Sequence, residues 1–143
     1  MPSFQSRIPN LSKTGPVIEL HIIPPDFLAE TLRERGEPIP EAVKVLAMID
    51  TGSSVSVLKH ELVALMGLQP TRSIRVNTPS HSGVRALIYS AGLSFPNGVI
   101  EEPVHFVALP LQAQAVQCLV GRDILRKGVF IYDGPQNTIT LSF

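Results

Sequence analysis

The sequence predicts a mostly-β domain, closed or nearly closed on itself. Three observations lead there. Short β-like runs recur with turn signals about every 8–12 residues, the pattern of small barrels and sandwiches. The segments with helical spacing are short, and each is cut off by Gly or Pro. The chain has 143 residues, 44% of them hydrophobic, with a mean hydropathy of +0.22, which suits one domain with a real core rather than a disordered polymer.

The elements follow in order. Residues 1–14 are polar with scattered apolar positions and read as a tail or a loose edge strand, leaving 15–143 as the folded domain. Residues 16–23 alternate in part and form the first strand, which Pro24-Pro25 ends. A short helix fits 26–35 with Asp26 as its N-cap, and the breakers of 36–40 make a surface loop. Residues 42–49 are a strand so rich in apolar side chains that both faces are expected to be covered. After Asp50-Thr51-Gly52-Ser53-Ser54 the chain turns β-like again over 55–58. A short helix over 59–66 follows, with Gly67 as its C′ residue.

Residues 73–77 and 84–90 pair as a hairpin with a polar tip over 78–83, and 91–95 extend its second arm. Pro96-Asn97-Gly98 is a turn, and 99–109 are a further strand. Residues 115–120 form a strand, 121–127 a short helix stopped by Gly128, and 129–132 with 138–143 a last hairpin.

Composition narrows the function classes. Twelve basic residues balance twelve acidic ones and no basic stripe stands out, which argues against nucleic acid as a partner. Near-neutral charge leaves little resistance to self-association. The single cysteine, Cys118, excludes an intrachain disulfide and reads as a small buried hydrophobe beside Leu119-Val120. The start of the chain lacks the apolar core of a signal peptide. No uncharged apolar run approaches the ~20 residues of a membrane span, so the expectation is a cytoplasmic protein without a membrane partner. His21, His60, His81 and His105 are scattered with no metal-ligand spacing, and no metal site is expected.

The chemistry concentrates at Asp50-Thr51-Gly52, the single such triplet in the chain. A strand delivers its carboxylate into a tight glycine turn. Alone, the triplet reads as an ordinary Asx turn. In order along the chain come the triplet, Val57-Leu58, the polar hairpin, and Leu119-Val120-Gly121-Arg122-Asp123 opening a short helix. In that order they resemble the retropepsin-like aspartic peptidases, especially cellular and bacterial members, over residues 17–143. The fold so implied is a closed acid-protease β-barrel with one or two short helices and a flap hairpin. The activity implied is that of an aspartic endopeptidase, a peptide hydrolase without cofactor or metal.

Metal-free peptide hydrolysis needs a base for water and an acid for the carbonyl oxygen. Two close carboxylates sharing one proton supply both, as aspartic proteases illustrate. One chain offers one triplet, so the resemblance implies a homodimer with one Asp50 from each subunit. Gly52 leaves room for backbone N–H groups near the carboxylate. The resemblance further implies that Thr51 locks the two aspartates in register and that Ser53 supports the outer carboxylate oxygen. Val57 and Leu58 would line the substrate groove. The tip Pro79, Ser80, His81, Ser82 and Gly83 would be the flap over an extended peptide. Gly121 and Arg122 match the family's helix start. In retroviral relatives the arginine pairs with an acid just after the triplet. Here Ser53, Ser54 and Val55 follow, so Arg122 needs another partner, a carbonyl or another carboxylate. The final strand, 138–143, is a candidate dimer interface. The competing reading is a non-catalytic, dimeric peptide-binding module of the same fold.

Overall fold

A computed structural model describes residues 2–111 and 115–143. In chain order the elements are β1 (Ser3–Arg7), α1 (Leu11–Thr14), β2 (Val17–Ile23), α2 (Asp26–Glu34) and β3 (Val43–Ile49). Then come β4 (Val57–Lys59), α3 (His60–Leu65), β5 (Pro70–Val76), β6 (Val84–Ser94) and β7 (Ile100–Leu109). The chain ends with β8 (Cys118–Val120), α4 (Arg122–Leu125), β9 (Val129–Asp133) and β10 (Thr138–Ser142). The protein is mostly β, as the turn spacing predicts, with four short helices among the described residues where the resemblance implied one or two.

The larger sheet closes on itself. Its order is β2-β3-β8-β4-β7-β6-β5, and β2 also pairs with β6 through His21↔Ser94, Ile22↔Leu93 and Ile23↔Gly92. Six strands therefore form a ring, and β5 hangs from the first half of β6 as a hairpin (Val76↔Val84) projecting from it. Alternation fills the interior: Leu20, Ile22, Val45, Ala47, Leu58, Leu93 and Phe106 are buried together in one core. A large aliphatic or aromatic side chain moved from water to such a core contributes about 1.5–3 kcal/mol.

Two of the helices are held by their ends. α3 stops in a Schellman motif: Gly67 N–H donates to Ala64 O (3.1 Å) and Leu68 N–H to Val63 O (3.0 Å), with Gly67 at φ +64°. At α2 the expected cap is displaced. Pro25 holds the N-cap position and Asp26 begins the helix, while Asp26 N–H donates to Glu102 Oε1 at 2.8 Å. A carboxylate from β7 does the capping that a local side chain was expected to do.

Three other expectations change. Residues 3–7 form an ordered strand antiparallel to β10, and Leu11 is fully buried behind it, so this part of the chain is the edge strand rather than the tail. β3 is buried on one face only. Leu46 remains 41% exposed because the outer face of β2 and β3 borders an open cleft of about 510 Å3 toward β1. The second sheet runs β1-β10-β9, so the final strand is central and both its edges are taken. No described helix is long and apolar enough to cross a membrane.

Candidate active site

Strand register creates the site. β3 and β8 run parallel, with Ala47↔Cys118, Met48↔Leu119 and Ile49↔Val120 paired, so both strands end at the same level. The chain leaving β3 enters the 50–56 loop, and the chain leaving β8 enters Gly121 and α4. β4, which follows the loop, lies antiparallel on the other side of β8 (Val57↔Leu119, Leu58↔Cys118). The loop must therefore straddle the end of β8, and the triplet and Gly121-Arg122-Asp123, about 70 residues apart in sequence, are forced into contact.

The contacts are specific. Asp50 N–H donates to Val120 O (2.9 Å), anchoring the start of the loop. The half-buried Asp50 carboxylate accepts Gly52 N–H on Oδ1 at 2.9 Å. A Cβ on Gly52 would come within 3.1 Å of that oxygen, which explains why the turn uses glycine. Ser53 N–H donates to Asp50 O (3.2 Å). The Ser53 hydroxyl turns away from its expected role at the carboxylate and donates to Val55 O at 2.6 Å.

Of the two kinds of partner that the sequence leaves open to Arg122, a carbonyl or another carboxylate, it finds a carbonyl. Its Nη1 donates to Thr51 O at 2.7 Å, and its backbone N–H donates to Ser53 O at 2.9 Å. The side chain thereby fixes the exposed peptide between Thr51 and Gly52 from outside.

Sequence reasoning missed the residues beneath. Ser56 is fully buried. Its hydroxyl donates to Asp123 Oδ1 (2.8 Å) and accepts Gly121 N–H (3.0 Å), and its N–H donates to Asp123 Oδ2 (3.1 Å). Asp123 Oδ1 also accepts Ile124 N–H (3.0 Å). Charge-assisted bonds of this kind contribute about 1.5–3 kcal/mol each when buried. The available signal was a serine at a core-facing position of a Val-Ser-Val alternation, a polar group that had to find a partner.

The two expected groove residues are not at the surface. Leu58 lies in the main core at 0% exposure and Val57 is 3% exposed, packed with Val116 and Leu119. Ser56 and Leu58 point one way along the strand and Val55 and Val57 the other, so Leu58 must enter the barrel. Val55 is the residue that bridges. It packs both on the Val57 cluster and on the inner side of the hairpin, with Ile74, Val76, Ala86, Ile88 and Leu109. The stem of the β5–β6 hairpin thus rests on the loop that carries Asp50.

At the hairpin tip, Thr78 N–H donates to His81 O (2.7 Å), and Asn77 Oδ1 accepts Gly83 N–H (2.9 Å) and the Ser82 hydroxyl (3.3 Å). Gly83 sits at φ +67°, a conformation that favours glycine. Pro79, Ser80, His81 and Ser82 are exposed, and Ser80 Oγ lies 2.9 Å from His81 Nδ1. Among the described residues no group of three or more His, Cys, Asp or Glu side chains converges as metal ligands would.

Cys118 lies just behind the site and is inert. Burial, and secondarily the negative charge of Asp123, push its thiol up to about 12 from 9.0. The folded protein keeps this proton over a range where the unfolded chain has lost it. The contribution is therefore complete below about pH 9 and is lost as pH rises from there through 12. Native Cys118 should resist thiol reagents at pH 8 and react only on unfolding. Cys118→Ala should flatten the alkaline loss of melting temperature. Rapid labelling of the folded protein would contradict the burial.

No protein-family model matches the chain, and no curated protein does. Among solved structures it is similar to a retropepsin-like aspartic protease from Rickettsia conorii. The TM-score is 0.60 at 15% identity, over 97% of this chain and 89% of that one. At that identity the likeness shows the fold, a retropepsin-like closed β-barrel.

Proposed function

We propose that this chain is one half of an aspartic endopeptidase, and that two copies related by a twofold axis bring their Asp50 side chains together. The observation that carries the reading is the construction of the Asp50 loop. Hydrogen bonds to Val120 O, from Gly52 N–H and from Arg122 to Thr51 O fix the Asp50 loop at the end of β3 and β8, and among the described residues its carboxylate stays only half-buried. Neither the cleft of about 510 Å3 nor a second of about 340 Å3 is lined by Asp50. Thr51 and Gly52 beside it are exposed.

In the dimer the two carboxylates share one proton, because like charges so close cannot both ionise. The ionised one takes a proton from a water lying between them, and the oxygen attacks the peptide carbonyl carbon. The protonated one gives its proton to the carbonyl oxygen. As the resulting diol collapses, the ionised carboxylate takes a proton from one diol hydroxyl, the protonated one gives its proton to the nitrogen, and the C–N bond breaks, leaving the dyad with one proton again. The rate should then show a bell-shaped pH profile. The hairpin, seated on Val55, would cover the bound peptide and pair with its backbone, with Pro79–Gly83 as the moving tip. Val55, Ile74, Val76 and Leu109 are the half-buried apolar groups that favour apolar side chains near the cut.

The dimer contact cannot insert a strand beside β10, whose edges are used. The outer strands and faces remain, including the half-exposed Val129 and Ile131 of β9. If only the dimer cuts, specific activity on a fluorogenic peptide should climb with enzyme concentration across the dissociation range found by sedimentation. Constant specific activity through that range, with a monomer present, would remove the two-chain dyad.

A further inference from the structure

The chain is neutral overall, but its charge is unevenly placed. No Asp or Glu occurs between Glu61 and Glu101, while Arg72, Arg75 and Arg85 do. All three lie on the β5–β6 hairpin and are exposed. Register sets Arg75 directly opposite Arg85. Two guanidiniums therefore leave one face side by side, an arrangement that destabilises an isolated hairpin. Arg75 Nη1 donates to Gly83 O at 3.0 Å, which answers one of its five donors. The ion pairs among the described residues are Lys44–Glu19 and Lys127–Glu101, so neither arginine has a carboxylate. Around them lies a concavity of about 340 Å3 lined by Ser73, Ile74, Arg75 and Arg85. The other face of the hairpin, with Val76, Ala86 and Ile88, is packed toward Val55 and Leu109. The hairpin is thus apolar toward the Asp50 loop and cationic away from it.

We infer that this cationic face docks an acidic stretch of polypeptide. If the hairpin covers substrate as proposed above, that stretch is the part of the substrate flanking the apolar segment to be cut. Planar guanidiniums beside a serine hydroxyl suit carboxylates, which they bind in bidentate fashion. Two arginines are few beside the 6–10 phosphate contacts of typical DNA-binding proteins, and alternation puts Arg72 on the other face with Ile74 and Val76, so an acidic polypeptide fits the site better than nucleic acid.

The test reads binding on Asp50→Asn protein, which holds peptide without cutting it. Two labelled peptides share one apolar core and differ only in Glu or Gln flanks. The Glu peptide should bind about tenfold more tightly, the combined effect of two partly exposed ion pairs, and the preference should shrink at high salt. Arg85→Gln, which leaves the Arg75–Gly83 bond in place, should remove about a threefold share of it. Arg75→Gln with Arg85→Gln should abolish the preference, leave Gln-peptide affinity unchanged, and melt no lower than the parent. Equal affinity for the two peptides, or a preference that survives the double change, would overturn the docking face. Cleavage by the wild-type chain is scored separately. Glu-peptide preference without any cleavage keeps the docking face and sinks the peptidase, whereas cleavage without preference does the reverse.

Discussion

Asp50→Asn should lower peptide cleavage by on the order of a thousandfold while leaving the melting temperature where it was. The two halves of that expectation come from the same geometry. Asparagine has the shape of aspartate, and its amide oxygen can still accept the Gly52 N–H that Oδ1 accepts at 2.9 Å. The backbone anchors are untouched, since Asp50 N–H donates to Val120 O and Ser53 N–H to Asp50 O whatever the side chain is. What an amide cannot do is take a proton from water or pass one on. In a twofold dimer the substitution also changes both members of the pair at once, so no ionised partner is left to act as base.

The measurement is kcat on a peptide library between acid and neutral pH, beside calorimetry of both proteins. Equal cutting by wild type and variant would place the activity elsewhere. If neither protein cuts although both dimerise and bind peptide, the non-catalytic binding module becomes the better account. A heterodimer of one wild-type and one variant chain adds a finer arm. It keeps one ionisable carboxylate, and its loss of activity separates a shared dyad from two independent sites.

How far the sequence discloses this architecture depends on the range of the interaction concerned. Strand and turn positions are local, and the alternation of residues 84–95 or the Pro96-Asn97-Gly98 turn specifies them directly. The Arg122 partner was legible as a requirement, because a guanidinium beside a triplet with no following acid must find an acceptor. Which carbonyl it finds depends on β8 passing between β3 and β4. The same long-range pairing hid Ser56. Three residues of β8 decide that a serine at position 56 lies under Gly121 and Asp123, and no local pattern encodes that crossing. Glu102 capping α2 from 76 residues away is another case, where a strand carboxylate answers a distant donor. Leu58 was misplaced for a different reason. So was Val57, which faces the other way yet is packed under Val116 and Leu119, and only the long-range register shows that both faces of β4 are covered. Residues 3–7 read as a tail or a loose edge strand because a polar strand at a sheet edge has the composition of a tail, and only pairing with β10 decides for the strand.

Gly121 offers the strongest test of the crossing, because its requirement is steric and local to the site. Its φ of −92° is ordinary, so a side chain would meet no conformational penalty of its own. A Cβ there would lie 2.4 Å from Val55 O, 2.6 Å from Val55 C and 3.0 Å from Ser53 O. All three are backbone atoms, and no rotamer change can move them away. Gly121→Ala must therefore push the 53–55 backbone off the end of β8, stretching the Gly121 N–H to Ser56 Oγ and Arg122 N–H to Ser53 O bonds. Overpacking of this kind costs about 1–3 kcal/mol, and the strained buried bonds bring the expected loss to roughly 3 kcal/mol or more. Gly36→Ala is the control. Nothing lies within 4 Å of its Cβ, and its φ of +68° limits the loss to about 1 kcal/mol. The two variants should also part in activity when assayed well below their melting temperatures. Gly36→Ala should cut at the wild-type rate, while Gly121→Ala should fall at least tenfold, because a shift of about 1 Å in a catalytic group carries that penalty or more. A Gly121→Ala protein that melts and cuts like wild type would mean that the Asp50 loop does not rest on the end of β8 in solution, and the site as built from these contacts would have to be given up.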